Sequence, residues 1–152
     1  MHVPMQVDYG VRALVELATS REQGLVRASE IAERQGIPES FLAHVLHSLQ
    51  RHGLTVAQRG PQGGHGLAVE PGAITMGMVM RYLDGPQSLM NCLDDAGCCD
   101  RSPGCGQRNV WLDVEEAMWR VLDSTTIADL VERGAAASRT AAPRKGVAIG
   151  VR

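Results

Sequence analysis

Aromatic side chains are scarce in this sequence, and it contains no long apolar run. Aromatic residues make up 3% of the 152 residues, so a core must rest mainly on aliphatic side chains within the 44% that is hydrophobic. No apolar stretch approaches the roughly 20 residues that a membrane-spanning helix needs, and no charged segment precedes a signal-type run. We therefore expect a cytoplasmic globular protein with no membrane partner.

Lysine is almost absent, since Lys145 is the one lysine among 15 basic residues and the rest are arginine. The formal net charge of −2 gives no general basic character that would favour nucleic acid. Any contact with nucleic acid would therefore depend on the local arrangement of particular residues and not on the overall charge. Arginine suits such an arrangement, because its guanidinium can contact phosphate and guanine through two hydrogen bonds.

Cysteine is absent outside one short segment, which contains Cys92, Cys98, Cys99 and Cys105. Disulfides are uncommon in the cytosol, so clustered thiols there favour metal binding or redox chemistry. Catalysis has little support, because the sequence shows no nucleophile–base pair and no cofactor-binding loop. The histidines also lack metal-ligand spacing with the cysteines.

Hydrophobic periodicity and breaker residues predict a mainly α protein with one small β-hairpin. Two helices joined by a tight turn and followed by a hairpin are typical of a winged helix-turn-helix. The predicted helices span 6–21, 28–35, 39–52, 75–84, 108–123 and 127–132, and the strands span 54–58 and 67–69.

The predicted organisation is a winged helix-turn-helix followed by a long dimerisation helix. It divides into a DNA-binding domain at 1–72, a linker helix with the cysteine loop at 73–107, the dimerisation and closing helices at 108–132, and a disordered tail at 133–152.

The exposed face of the third helix and the glycine-rich hairpin tip form the candidate DNA interface. Short or polar side chains on that helix could enter a groove, and glycines in the wing allow the backbone to approach phosphates. The alternative is a winged helix that serves as a protein-interaction module. The candidate contacts are Ser40, His44, His47, Arg59, Gly60, Gly63, Gly64 and His65.

The cysteines follow the pattern C-x5-C-C-x5-C, which differs from the paired spacing of zinc modules. Widely spaced thiols on one loop suit an iron–sulfur cluster. Adjacent cysteines seldom ligate together, so we expect three ligands and one spare thiol, with the choice between Cys98 and Cys99 open. The alternatives are a zinc site, a metal-free thiol switch and a small electron carrier, although a carrier has no need of a winged helix. By itself, Asp8 is most simply the ion-pair partner of Arg12.

Several segments together resemble the winged-helix iron–sulfur transcription regulators that include IscR and NsrR. The segments are Asp8-Tyr-Gly-Val-Arg-Ala-Leu14, Glu30-Ile-Ala-Glu33, Phe41-Leu42, Arg59-Gly60 with Gly63-Gly64, and the cysteine loop continuing to Trp111. The resemblance implies a homodimer that binds a double-stranded DNA operator. It also implies a cluster near the dimer interface, for which we favour 4Fe-4S over 2Fe-2S.

The same resemblance implies a ligand set of Cys92, Cys99 and Cys105, with Cys98 as the alternate second ligand. IscR-type members supply a histidine at the position that Arg108 occupies here, so that ligand is absent. NsrR-type members use an aspartate from the first helix of the partner subunit, and Asp8 stands at that position. The ligand pattern is therefore most similar to that of NsrR, and it adds Asp8 as the fourth ligand.

Overall fold

A computed structural model describes residues 2–85 and 88–140. Within these residues the fold is mainly helical with one antiparallel hairpin, which confirms the predicted fold class. None of the described helices combines the length and apolar character needed to cross a membrane. The helices are α1 Met5–Thr19, α2 Ala28–Gln35, α3 Glu39–Arg51, α4 Met76–Asp84, α5 Asn91–Asp94, α6 Gly106–Ser124 and α7 Ile127–Thr140, and the strands are β1 Thr55–Gln58 and β2 Gly64–Leu67.

Helix α1 lies between two clusters of buried aliphatic side chains. On one side, Leu17 packs with Ile31 and Leu42 of the helix-turn-helix. On the other side, Leu14 packs with Val79 of α4 and Ile127 of α7. The helix that precedes the helix-turn-helix therefore also anchors the C-terminal helices.

A polar cluster fixes α2 against α1. The Glu16 carboxylate accepts hydrogen bonds from Arg34 Nη1 at 2.8 Å, Gln35 Nε2 at 2.8 Å and Ser20 Oγ at 3.2 Å. Burial by itself would raise the pKa of Glu16, but these hydrogen bonds outweigh it and lower that pKa. Glu16 is therefore an ionised, nearly buried acid that sets how the first helix of the motif sits on the core.

The turn between α2 and α3 is built on Gly36 and Ile37. Gly36 ends α2 with φ at 63°, in the left-handed region that glycine adopts without strain. Ile37 is buried, and its amide donates to the Ala32 carbonyl at 2.9 Å. This short connection sets α3 against α2 as a helix-turn-helix requires.

Strand β2 begins earlier than the predicted return strand at 67–69. It pairs with β1 from Thr55↔Leu67 to Gln58↔Gly64. In addition, Val26 and His65 exchange backbone hydrogen bonds of 2.9 and 2.7 Å, which adds a bridge on the other side of β2. A Cβ atom on Gly64 would lie 2.7 Å from the Val26 carbonyl oxygen. The glycines that indicated a loop in the sequence therefore make this close strand pairing possible.

Helix α7 continues well beyond the predicted boundary at residue 132. We predicted a disordered tail over 133–152, but residues 133–140 are helical. The run Ala135–Ala137 accounts for the difference, because alanine has the highest helix propensity although it also looks like low-complexity sequence. Residues 141–152 of the predicted tail lie outside the described residues.

Candidate DNA interface and cysteine loop

The two faces of α3 differ sharply in exposure. Leu42, Val45, Leu46 and Leu49 are buried against the core. The predicted DNA contacts Ser40, His44 and His47 are all exposed on the other side. The helix therefore presents short and hydrogen-bonding side chains outward, as a recognition helix would. Their contact with DNA remains a prediction.

Arg59 and Gly60 lie exposed at the start of the wing tip. Arg59 forms no ion pair or hydrogen bond with another residue in the described part of the chain, so its guanidinium is available. Gly60 has φ at 118°, a conformation that side chains with a Cβ rarely adopt. The wing thus projects one arginine on a turn that needs glycine.

Gly63 and Gly64 have a structural reason to be glycine that does not involve DNA. A Cβ on Gly63 would overlap the Gln58 carbonyl, and one on Gly64 would crowd Val26. Both positions are crowded by the protein's own backbone. Their predicted approach to phosphates is untested, and their small size is already explained by the hairpin.

His65 differs from the two histidines of α3 because its side chain is half-buried. Its Nδ1 atom is buried and has no hydrogen-bond partner among the described residues. Burial lowers the pKa of His65, because the charged form loses hydration there. His65 is therefore held neutral at neutral pH and adds no positive charge to the wing.

Arg27, which the sequence analysis did not select, ties the wing to the helix-turn-helix. It immediately precedes α2, and its Nη2 donates to the Pro61 carbonyl at the wing tip at 2.9 Å. The contact joins residues far apart in the sequence, so no local pattern could have indicated it.

The four cysteines lie on a loop that packs along the start of α6. Cys92 is in α5, Cys98 ends a short 3-10 turn at Ala96–Cys98, and Cys105 is the N-cap of α6. Cys98 is exposed, whereas the other three are half-buried, and all four are free thiols. Partial desolvation raises the pKa of Cys98, and the nearby Asp95, Cys92 and Cys99 raise it further. These effects favour the protonated thiol at Cys98 over the thiolate.

The ligand set predicted from the sequence is not assembled into a metal-binding group. Within residues 2–85 and 88–140, no three cysteine, histidine or acidic side chains are placed to hold one metal ion. The chemistry of the donors nevertheless fits an iron–sulfur cluster, because four thiols share one loop and a buried hydroxyl beside them lacks a partner. Gathering Cys92, Cys99 and Cys105 would require the loop to close.

Arg108 occupies the position at which the resemblance implied a histidine ligand in IscR-type members, and here its side chain makes a structural contact. Its Nε donates to the backbone carbonyl of Cys92 at 3.0 Å. This bond ties α5 to the first turn of α6, and so brings the first and last cysteines of the loop to the same end of α6.

Asp8 forms the expected ion pair with Arg12, with Oδ2 and Nη2 2.8 Å apart. Arg12 also reaches the Gln35 carbonyl at the end of α2, at 3.4 Å. Both side chains of the pair are partly exposed, so the carboxylate is accessible at the surface of α1. A role as a metal ligand is not tested by this arrangement.

Helix α6 has no buried residue along its whole length. It is attached to α4 through Arg81, which makes two hydrogen bonds of 2.7 and 2.8 Å to Asp123 and lies over the Trp119 ring. One side of the helix presents exposed apolar side chains, hereafter the α6 stripe, formed by Val110, Trp111, Val114 and Val121.

Comparison with known proteins gives consistent matches along most of the chain. The Rrf2 family model, described as an iron-dependent transcriptional regulator, matches residues 3–133. The HTH-type transcriptional regulator CymR of Bacillus subtilis is 34% identical over 130 residues, covering 86% of this chain and 89% of CymR.

Two solved structures of such proteins are also similar. That of B. subtilis CymR, described as the global cysteine regulator, matches with a TM-score of 0.75 at 32% identity, covering 88% of this chain and 98% of CymR. The T. potens IscR structure matches with a TM-score of 0.73 at 32% identity, covering 96% of this chain and 94% of IscR.

Proposed function

The chain belongs to the Rrf2 family of transcriptional regulators, and we propose that a cysteine-bound iron–sulfur cluster controls its binding to operator DNA. It is a regulator and not an enzyme. The observation that carries the proposal is the position of the cysteine loop. The loop holds four free thiols and ends at Cys105, the residue that directly precedes the long helix α6.

The DNA-binding surface in this proposal consists of α3 and the wing. Ser40, His44 and His47 enter the major groove, and Arg59 contacts the phosphate backbone or the minor groove. The bond from Arg27 to Pro61 supports this assignment, because it holds the wing in a fixed position relative to the helix-turn-helix.

The protein acts as a homodimer joined through the α6 stripe. A helix of this length with no buried residue leaves its apolar side chains in water unless a partner covers them. A second copy offers the same surface, and a two-fold dimer would set two α3 helices for successive major grooves of a palindromic site.

The cluster, with 4Fe-4S favoured over 2Fe-2S, would be held by Cys92, Cys99 and Cys105, with Cys98 as the alternate and Asp8 of the second copy as the fourth ligand. When bound, it would supply a redox-sensitive and nitric-oxide-sensitive link within the dimer. An aspartate oxygen is a weaker donor to iron than thiolate, which suits a site that must release its cluster.

The fold offers a route from the loop to the DNA-binding helices. Arg108 holds Cys92 against the start of α6, and Arg81 joins the end of α6 to α4. Helix α4 packs against α1 and α3 in the second core cluster. A movement of the loop that also shifts α6 would therefore change how α4 supports α3.

Anaerobic purification tests this proposal directly. We expect visible absorption together with iron and acid-labile sulfide, and tight binding of the cluster-loaded protein to DNA that it has selected from random sequence. We expect the cluster-free protein to bind the same DNA much more weakly in a gel shift. Colourless protein that resists reconstitution, or equal affinity of the two forms, would overturn the proposal.

The two adjacent cysteines give a matched pair of variants. Cys99→Ala should lose the cluster, whereas Cys98→Ala should keep it with unchanged absorption. Retention of the cluster in the first and loss in the second would assign the second ligand to Cys98.

A second candidate function is metal-free thiol sensing. Two observations favour it: no three donors in the described residues are grouped for a metal, and the similar B. subtilis CymR is described as a global cysteine regulator. In that case, DNA binding by iron-free protein would respond to a mild thiol oxidant and recover with a reductant. Zinc in a colourless preparation would instead indicate a structural metal site.

A further inference from the structure

Ser102 is an unusual residue in an otherwise open loop. Its side chain is 8% exposed, while the neighbouring loop residues whose side chains are described are partly or fully exposed. Its hydroxyl oxygen is buried and has no hydrogen-bond partner in the described part of the chain. Burying a hydroxyl without a partner costs free energy, so a native fold usually gives such a group a partner, either an ordered water or a bound group.

The hydroxyl belongs to a residue that lines a cavity beside a predicted ligand. The cavity has a volume of about 440 Å³, and its walls include Ser102, Cys105, Arg108 and Asn109. Gly104 and Gly106 also line it, and a Cβ atom at either position would meet nothing within 4 Å. There is thus open space at the Cys105 end of the loop.

The first turn of α6 forms one side of the same cavity, and it is electrostatically uncompensated. Cys105 is the N-cap but makes no side-chain cap, and the first turn contains no acidic residue. The amides of Gly106 and Gln107 come too early in the helix to have an acceptor within it. A helix start of this kind carries partial positive charge and binds anions.

We propose that Ser102 and the first turn of α6 form a hydrogen-bonding pocket for the anionic iron–sulfur group held by Cys105. This inference rests on the proposed function and adds the residues that hydrogen-bond the group rather than ligate it. Thiolate and inorganic sulfide are hydrogen-bond acceptors, and the Ser102 O–H and the first amides of α6 would be the donors to them once the loop closes around the group. Hydrogen bonds to cluster sulfurs stabilise the bound state and tune its potential.

The test uses full-length protein reconstituted without oxygen, and it measures how fast cluster absorbance is lost to excess chelator. We expect Ser102→Ala to lose its cluster about tenfold faster, as is typical when a partner of a metal site is removed. Ser102→Thr keeps the hydroxyl and should behave like the unaltered chain. Ser138→Ala removes an exposed hydroxyl on α7 and is the control for a distant serine.

Thermal unfolding of the cluster-free proteins separates this role from a structural one. Because the hydroxyl is unpaired, Ser102→Ala should leave the cluster-free melting temperature unchanged or raise it. A lowered melting temperature, or cluster loss at the unaltered rate, would overturn the inference. If the unaltered chain forms a cluster, either of these results overturns only the role of Ser102 and leaves the proposed function in place. If the unaltered chain forms no cluster, the proposed function and this inference are both overturned.

Discussion

At the scale of single residues, identical side chains do different things in this protein. His44 and His47 are exposed on α3, whereas His65 is half-buried with an unpartnered Nδ1 and a lowered pKa. The sequence grouped all three as DNA contacts because each lies in the helix-turn-helix or wing. His65 differs from the other two because its backbone pairs with that of Val26. These two residues are distant in the sequence, so hydrophobic periodicity could not predict the contact.

Arg59 is the residue on which the wing's contribution to DNA binding can be tested. We expect Arg59→Ala to weaken binding across DNA sequences and to reduce the salt-dependence slope by about 1, because one phosphate contact is lost. Gel shifts over a series of salt concentrations measure both quantities. Arg133→Ala, an exposed change on α7, should alter neither. An unchanged slope in Arg59→Ala would exclude a phosphate contact at this position.

The spacing of residues in the sequence was enough to identify the candidate metal ligands, but not the residues that surround them in the structure. The sequence identified the cysteine loop and the Asp8–Arg12 ion pair, because spacing alone indicates both. It did not indicate Ser102 or the bond from Arg108 to Cys92, because burial and cavity shape depend on how the loop folds onto α6.

At the scale of elements, the long amphipathic helices were predictable, and the glycine-rich and cysteine-rich segments were not. Helix α2 matches its predicted bounds, and α1, α3, α4 and α6 differ by one or two residues at their ends. Strand β2 was predicted at 67–69, later in the chain than its observed range, and the short helix α5 was not predicted. Their sequences contain glycine, aspartate and cysteine, which favour loops locally, and tertiary contacts give them regular structure.

The link between α1 and α2 predicts a specific dependence of stability on pH. The pKa of Glu16 is lowered in the folded protein, so its stabilising contribution is present above its unfolded pKa of about 4.5 and is lost as pH falls through the folded value. Glu16→Gln should therefore lower the free energy of unfolding at neutral pH by about 1–2 kcal/mol, as expected for hydrogen bonds to a charged group with Arg34 half-exposed.

Urea unfolding at neutral pH and at pH values below 4.5 measures this difference. The gap between Glu16→Gln and the unaltered chain should narrow in acid. The matched control is Glu116→Gln, which alters the fully solvated pair with Arg120 on α6 and should change stability little at any pH. A gap that stays constant with pH would show that Glu16 acts through packing alone.

At the scale of the whole molecule, α1 joins two cores, and α6 lies outside both. The helix-turn-helix shares α1 with α4 and α7, so the described residues of the predicted DNA-binding domain at 1–72 do not form a self-contained core. Helix α6 is attached through Arg81 and the cysteine loop but buries none of its own residues. In the proposed function, α6 therefore acts mainly through assembly of the dimer.

A charge placed on the α6 stripe should prevent that assembly. Val110 is 59% exposed, and Val110→Glu would put a carboxylate into the proposed dimer interface, where it would lose hydration. We expect the unaltered chain to be a dimer and the variant a monomer by light scattering coupled to gel filtration. Val56→Glu, at an exposed position on β1, should remain dimeric. A dimeric Val110→Glu protein would place the interface elsewhere.

Among the residues that the structure describes, the cysteine loop contributes no side chain to either aliphatic cluster, and this separation affects how such a chain can diverge. Under the proposed function, substitutions between α4 and α6 would alter what the protein senses without a compensating change in the interior. Substitutions at exposed positions on α3 would likewise change operator preference independently. Descendants of one ancestral scaffold could therefore acquire new signals and new target genes along separate mutational paths.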